Sequence, residues 1–173
     1  MLDMISAALR RKRPPTHGLF DTVSMDFRVR LFDIDLNMHL NNAKYLKFMD
    51  RCRLEHAVST GLLDKLIHAR CSAVVANTEV SYVRELRPYQ HFSVETRVLG
   101  WDDKYVYYDQ RFMSQKRLHT HALLRIVHMY GGKSISPQAV QEITGLNMQS
   151  PVLPEYVDQW RKLLLTKKRY TES

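Results

Sequence analysis

Cysteine is scarce in this chain, and it contains no long apolar run. Its 173 residues include only Cys52 and Cys71, which form no C-x-x-C pair and have no metal-ligand spacing around them. The pattern therefore favours two reduced packing thiols, no metal site, and a reducing, cytoplasmic compartment. No stretch approaches the roughly 20 apolar residues that a membrane-spanning helix needs.

Basic residues outnumber acidic ones. Lys and Arg total 26 against 18 Asp and Glu, which gives a formal net charge of +8. This excess suits a polyanionic partner: nucleic acid, an acidic membrane surface or a phosphorylated small molecule. No nucleic-acid-binding motif accompanies the charge, so we expect no nucleic-acid partner.

The chain length suits one domain with a substantial core. Residues 1–18 are predicted to be a basic arm, in which a mildly apolar stretch precedes the charges; this order is the reverse of that in a secretory signal peptide. Residues 19–173 are predicted to form a single domain, with a core at about 24–133 and a helical extension at about 134–173.

Hydrophobic periodicity predicts a strand, a long helix and then a series of strands. Apolar residues alternate over 25–32, and from Tyr45 they recur at three- and four-residue spacing as far as a helix stop at Gly61. The period then returns to two in the segments 74–82, 92–98, 105–114 and 118–130. Further helices are predicted after Gly61, Ser136 and Pro154.

This order of elements predicts an α+β fold. A curved antiparallel sheet would wrap around one long central helix, with an added helix at the C-terminus. One helix can cover only one face of a sheet. The other face and the edges of the sheet are therefore expected to contact a second copy of the chain.

A short polar loop between the first strand and the long helix concentrates the groups that can do chemistry. This polar loop, residues 32–45, contains two aspartates, a histidine and three asparagines. Loops held between rigid elements often carry binding and catalytic groups, and a helix start supplies free N–H donors. Asn41 or Asn42 is a good N-cap for the helix that follows.

Two motifs carry a resemblance to a known family. The polar loop contains Asp33-x-Asp35-x-x-x-His39-x-Asn41-Asn42-x-x-Tyr45. This pattern resembles the signature of hotdog-fold acyl-CoA thioesterases of the 4-hydroxybenzoyl-CoA thioesterase type. The later stretch Gly100-Trp101-Asp102-Asp103, followed by Arg111-Phe112, is similar to the thioesterase-superfamily-member-six branch. The resemblance covers about residues 24–133.

The resemblance implies a hotdog fold that hydrolyses an acyl-CoA thioester at the interface of a homodimer or dimer of dimers. It implies no metal and no redox cofactor, with coenzyme A entering as part of the substrate. The family's catalytic carboxylate maps onto Asp35, and its oxyanion contacts map onto backbone N–H groups from Asn41 to Ala43. Asp35 could attack the thioester carbonyl or draw a proton from water; the sequence leaves both routes open.

The other polar residues of the motif have competing interpretations. His39 and Asn42 are further candidate catalytic residues, but His39 could instead order the loop and Asn42 could cap the helix. Asn37 could bind substrate or permit a left-handed turn. Tyr45 lies on the buried helix face, where core packing is the default and its hydroxyl could also reach the site. Asp33 is expected to be structural.

Two basic residues, Arg84 and Lys104, are candidate contacts for the phosphates of coenzyme A. Both lie at predicted strand ends, and solvated surface is the competing interpretation. The competing function for the whole protein is a non-catalytic hotdog dimer that binds acyl-CoA or an acyl-carrier protein. An aspartate beside the helix start favours the enzyme.

Overall fold

The structure of the protein is a computed structural model that describes residues 14–171, so most of the predicted basic arm lies outside the described residues. The strands are β1 (Val23–Arg28), β2 (Ser72–Tyr82), β3 (His91–Trp101), β4 (Val106–Ser114), β5 (Arg117–Tyr130) and β6 (Lys133–Ile135). The helices are α1 (Asn42–Ser59), α2 (Leu62–His68), α3 (Pro137–Thr144) and α4 (Glu155–Thr171).

The strands within residues 14–171 form one antiparallel sheet. They lie in the order β1-β3-β4-β5-β2, and β6 pairs with the end of β5. The predicted antiparallel arrangement is therefore confirmed. The sequence did not predict β6, because three residues carry too short a pattern to indicate a strand.

The main core lies between α1 and the concave face of the sheet. Tyr45, Met49, Cys52 and His56 are buried on one stripe of α1 because they recur at three- and four-residue spacing. They pack against alternate residues of the central strands, including Val94, Val98, Phe112 and Leu124. The helix ends as predicted, since Gly61 follows it with a left-handed φ of 71°.

A buried polar network fixes α1 onto the sheet. The fully buried side chain of Gln110 on β4 donates from Nε2 to the backbone carbonyl of Met49, at 3.1 Å, and to Thr96 Oγ1, at 2.8 Å. Its Oε1 accepts a hydrogen bond from Arg53 Nη1 at 3.0 Å. Because buried amide groups must be paired, this network favours one position of the helix along the sheet.

The C-terminal helix α4 covers part of the convex face. Its buried Val157 and Trp160 pack against Leu99, Tyr107 and Leu123 of the central strands. Arg161 on α4 also pairs with Asp102 in the turn after β3, at 3.1 Å. None of the helices within residues 14–171 combines the length and apolar character needed to cross a bilayer.

The two ends of the sheet carry different parts of the chain. The polar loop lies at the end where β3 and β5 begin, and the Leu40 N–H ties it to Leu86 O, at 2.8 Å, in the connection after β2. The opposite end carries the turn between β3 and β4. The 11 residues of β3 separate the two ends by roughly 30 Å.

The histidine in the α1 core is held uncharged. His56 is fully buried, and its ring packs edge-on against Tyr108 with 5.6 Å between the ring centroids. Burial lowers the pKa of His56 to about 4, although the nearby backbone of Leu19 and Asp21 partly opposes the shift. Among the described residues, neither ring nitrogen has a hydrogen-bond partner of regular geometry. The folded protein therefore disfavours protonation of this ring.

We expect acid to destabilise the fold through His56. An unfolded histidine takes up its proton near pH 6.5, whereas folded His56 does so only near pH 4. The stabilisation is therefore complete above about pH 6.5 and falls as the pH drops towards 4, with about 2 kcal/mol lost between pH 7 and pH 5. Urea unfolding at both pH values should show a loss about 2 kcal/mol smaller in His56→Phe than in wild type. Equal losses in the two proteins would contradict this prediction.

Candidate active site

The polar loop is folded back on itself as a tight hairpin. Ile34 and Leu40 form a β-bridge, and the Asp35 N–H donates to His39 O at 3.0 Å. The Met38 N–H donates a hydrogen bond to Asp35 O at 3.1 Å, and Met38 itself has a φ of 61°. This left-handed residue closes the turn, which is a position that Gly or Asn usually takes. The hairpin therefore holds the polar groups of the loop close together just before the start of α1.

Asp33 holds the polar loop against the helix. One of its carboxylate oxygens accepts a hydrogen bond from the Arg30 N–H at 3.1 Å, and the other pairs with Lys44 Nζ at 2.9 Å. Its backbone carbonyl accepts from the Asn41 N–H at 2.8 Å. The carboxylate is buried and both of its oxygens are engaged. The predicted structural role of Asp33 is confirmed.

Asp35 has one engaged carboxylate oxygen and one that is not bound. Its Oδ1 accepts a hydrogen bond from the Asn37 N–H at 2.9 Å, and His39 Nδ1 lies 3.5 Å from the same oxygen. No described residue binds Oδ2, and the side chain is 24% exposed. Asn37 thus contributes its backbone to the turn. The carboxylate is oriented by the loop and still open to a ligand.

Hydrogen bonds at the start of α1 leave one of the three predicted oxyanion donors available. The Asn41 side chain caps the helix by accepting from the Ala43 N–H at 2.9 Å, and the Asn41 N–H is used by Asp33. Two of the three predicted amides, those of Asn41 and Ala43, are therefore occupied. Among the described residues, the Asn42 N–H has no acceptor. It is the first amide of α1 and lies where the positive end of the helix dipole is strongest.

Tyr45 lies between the polar loop and the sheet. Its buried ring packs against Tyr82 and Phe112, with centroid distances of 5.1 and 4.9 Å. Burial raises the pKa of Tyr45, with smaller contributions from Tyr82 and Asp35, so its hydroxyl keeps its proton at neutral pH. Nearby Thr120 partly opposes that shift, but its own buried hydroxyl makes no hydrogen bond of regular geometry within the described part of the chain.

The structure separates the two predicted phosphate contacts. Arg84 follows β2 at the polar-loop end, where it is exposed and donates from Nη1 to Leu118 O at 2.7 Å. Lys104 lies in the turn between β3 and β4 at the opposite end, so it is not brought to the polar loop of its own chain. A strand-end position in the sequence does not say at which end of the sheet a residue lies, and both phosphate contacts stay predictions.

Three residues near the site were not singled out by the sequence. Lys44 neutralises Asp33, and Tyr82 and Thr120 line the sheet beside Tyr45. Lys44 lies in the first helical turn after the N-cap Asn41, a position that the sequence alone can identify. Tyr82 and Thr120 are opposite each other in the register of β2 and β5, and such cross-strand pairing cannot be obtained from one strand alone.

These groups can attack a carbonyl and stabilise the charge that results. The hydrogen bond from the Asn41 N–H to Asp33 O joins the start of α1 to the hairpin that carries Asp35. A carboxylate with an unbound oxygen can act as nucleophile or base, and an unpaired amide at a helix start can bind an oxyanion.

Comparison with known sequences identifies relatives over most of the chain. Residues 29–160 match the Thioesterase-like superfamily. The chain is 35% identical to Protein THEM6 of Xenopus laevis over 152 residues, which are 88% of this chain and 73% of that protein. It is 30% identical to the probable thioesterase YBR096W of Saccharomyces cerevisiae over 134 residues, which are 75% of this chain and 58% of that protein.

A solved structure shares the fold. A thioesterase from Thermus thermophilus, complexed with coenzyme A and Zn, superposes with a TM-score of 0.59 at 23% identity, over 72% of this chain and 98% of that chain. The likeness confirms the predicted hotdog fold. The matched sequence range contains the whole polar loop, the strands β2 to β6 and the start of α4. The chain therefore belongs to the Thioesterase-like superfamily.

Proposed function

We propose that the protein is an acyl-CoA thioesterase, which hydrolyses a thioester to a carboxylic acid and coenzyme A. The observation that carries this proposal is that the polar loop and the helix start it leads into leave one oxygen of Asp35 and the N–H of Asn42 without a hydrogen-bond partner among the described residues. The yeast relative is named a probable thioesterase, and the Thermus structure is of a thioesterase with coenzyme A. Both names agree with the chemistry that this pair of groups can perform.

In the proposed reaction, the thioester oxygen accepts a hydrogen bond from the Asn42 N–H. As the carbonyl carbon becomes tetrahedral, this donor and the positive end of α1 stabilise the negative charge on that oxygen. A single such donor typically contributes about 3 kcal/mol to lowering the barrier. Coenzyme A then leaves as a thiolate, and a good leaving group of this kind needs no strong general acid.

Asp35 has two possible routes to that tetrahedral centre. As a nucleophile it forms a C–O bond to the acyl carbon, the C–S bond breaks, and water then hydrolyses the acyl-aspartyl anhydride. As a general base it takes a proton from water while the water oxygen attacks the same carbon. Neither route uses a metal or a redox cofactor, and coenzyme A takes part only as a portion of the substrate.

The other residues around the site have supporting roles in this proposal. His39 and the Asn37 N–H orient the Asp35 carboxylate through Oδ1. The Tyr45 hydroxyl is a hydrogen-bond donor facing the acyl group from the sheet side. Arg84 lies at the correct end of the sheet to meet an anionic portion of the substrate.

We also propose that the working unit is a homodimer joined through β2. This strand forms the edge of the sheet next to β5 and has no neighbour on its other side among residues 14–171. Its apolar side chains remain exposed: Val74 at 49%, Val75 at 40% and Tyr82 at 47%. Exposed, unpaired edges are templates for pairing with another chain. Tyr82 would also place this edge next to Tyr45 and the active site.

Replacing Asp35 by Asn tests the proposed reaction. The Asn side-chain oxygen can still accept the hydrogen bond from the Asn37 N–H, so the turn is kept while the charge is lost. We expect hydrolysis of acyl-CoA substrates, measured by thiol release, to fall by about 10²–10⁴-fold. Asp103→Asn, in the exposed turn after β3, is the matched control and should keep full activity.

Wild-type turnover in Asp35→Asn would refute the assignment of this carboxylate. Wild-type protein that binds acyl-CoA but releases no thiol across short, long and aromatic acyl groups would instead support the non-catalytic binding dimer.

Two lysines on the β2 edge test the proposed dimer. The double variant Val74→Lys, Val75→Lys should repel its own copy across the two-fold axis and expose charge where apolar contact is needed. We expect its mass in sedimentation to shift from twice the 20.4 kDa chain mass to that of a single chain. Val152→Lys, at a 95% exposed position in the segment between α3 and α4, is the control. A double variant that stays dimeric would place the interface elsewhere.

A further inference from the structure

A large cavity lies between the second half of α1, the helix α2 and the edge strand β2. Its volume is about 430 Å³, within the range of roughly 300–1,000 Å³ that is usual for small-molecule sites. Most of the residues that line this α1–β2 cavity are apolar; they include Leu54 and Ala57 of α1, Leu66 of α2 and Val75 of β2. An apolar lining of this extent suits a hydrocarbon group.

The wall of the α1–β2 cavity contains a buried histidine that lacks a partner. His128 on β5 lines the cavity and is 6% exposed. No described residue forms a hydrogen bond with its buried Nδ1 atom. Burial lowers the pKa of His128, so the ring is uncharged at neutral pH. A buried nitrogen without a partner costs free energy, and a ligand that supplies a hydrogen bond recovers this cost.

The charged groups of the cavity already engage each other. Arg53 and Asp50 both line it, and their side chains form an ion pair. His128 is neutral, and burial raises the pKa of Tyr108, another lining residue, to about 12. A neutral imidazole offers one donor and one acceptor, and a phenol keeps its O–H. The cavity therefore suits an uncharged oxygen, such as a hydroxyl, better than a carboxylate or an amine.

One side of α1 leads from the candidate active site to this cavity. Leu46, Asp50, Arg53 and Ala57 follow each other at three- and four-residue spacing, so they lie along one side of the helix. The last three of them line the cavity, and Leu46 lies on the same side one turn after Asn42. Leu46 is exposed, which leaves an apolar surface between the free amide and the cavity.

The rise of the helix gives the depth of the cavity. Residues 42 to 56 of α1 span about 21 Å, and the His56 ring packs against Tyr108 in the cavity wall. An extended chain advances about 1.2 Å per single bond, since the three bonds of one residue span at most ~3.6 Å. An acyl chain on the order of 16 to 18 carbons long therefore places its far end at this depth.

We propose that the α1–β2 cavity binds the far half of a long acyl chain and that His128 selects chains with a terminal hydroxyl group. The thioester carbonyl lies at Asp35 and Asn42, the chain follows the β2 side of α1, and the hydroxyl forms a hydrogen bond with the imidazole. The position of the carbonyl rests on the proposed thioesterase function. Occupancy of the cavity does not depend on catalysis and can be measured separately.

Kinetics on a matched pair of thioesters test the selection. Wild type should hydrolyse 16-hydroxyhexadecanoyl-CoA with a kcat/KM about five- to tenfold above that for hexadecanoyl-CoA, which is the effect of one buried hydrogen bond. His128→Phe keeps an aromatic ring but removes the ring nitrogens, so the ratio should fall to within about twofold of one. His68→Phe, at an exposed position on α2, is the matched control and should keep the wild-type ratio.

Two kinetic results would overturn the role of His128. In one, wild type does not prefer the hydroxylated chain. In the other, His128→Phe lowers kcat/KM for both thioesters equally, because the histidine would then support only the fold.

Alkylation of Cys71 tests occupancy of the cavity without turnover. Cys71 lines the cavity, whereas Cys52, the other cysteine of the sequence, is buried beneath α1. We expect 16-hydroxyhexadecanoic acid, at about ten times its dissociation constant, to slow the labelling of Cys71 by N-ethylmaleimide about tenfold. Peptide mass spectrometry measures the rate.

A variant that fills the cavity is the second arm of this experiment. Leu54→Trp should abolish the protection of Cys71 because the larger side chain occupies the space of the chain. Leu165→Trp, at an exposed position on α4, should keep it. Labelling that the fatty acid does not slow would overturn the proposal. If Cys71 is protected and wild type hydrolyses neither thioester, the proposed function fails and the cavity remains an acyl-binding site.

Discussion

The structure depends on one long helix packed against the concave face of a sheet. The buried stripe of α1 and the Gln110 network hold the helix along the central strands. With α1 fixed in this way, its first turn lies at the end of the sheet to which the polar loop leads from β1. The position of the free Asn42 amide is thus a consequence of core packing. The packed core holds the candidate site in place.

Two aspartates separated by one residue have different roles because their surroundings differ. Asp33 is buried and both of its oxygens are engaged, so it joins the loop to the helix. Asp35 occupies the first position of a tight turn, where a single N–H orients it and one oxygen stays unbound. The first aspartate stabilises the loop, and this makes it possible for the second to remain available to a ligand.

The sequence predicted much of the fold, because alternation and helical spacing report directly which face of an element is buried. It predicted the strands β1 to β5, the helix α1 with its stop at Gly61, and the structural role of Asp33. It did not show which of the three candidate N–H groups is free, since that depends on hydrogen bonds across the loop. It did not show that Arg84 and Lys104 lie at opposite ends of the sheet, because that follows from the order and direction of the strands. The cytoplasmic location and the absence of a nucleic-acid partner stay predictions.

The helix α4 has a consequence for assembly. A bare sheet face can stack on another sheet, and such stacking adds subunits beyond a pair. Here Val157 and Trp160 cover part of the convex face, and α1 packs against the concave one. Sideways growth through a sheet edge is self-limiting when a two-fold axis uses the same strand from both copies. By packing on the convex face, the C-terminal helix reduces the apolar area on which a second sheet could stack.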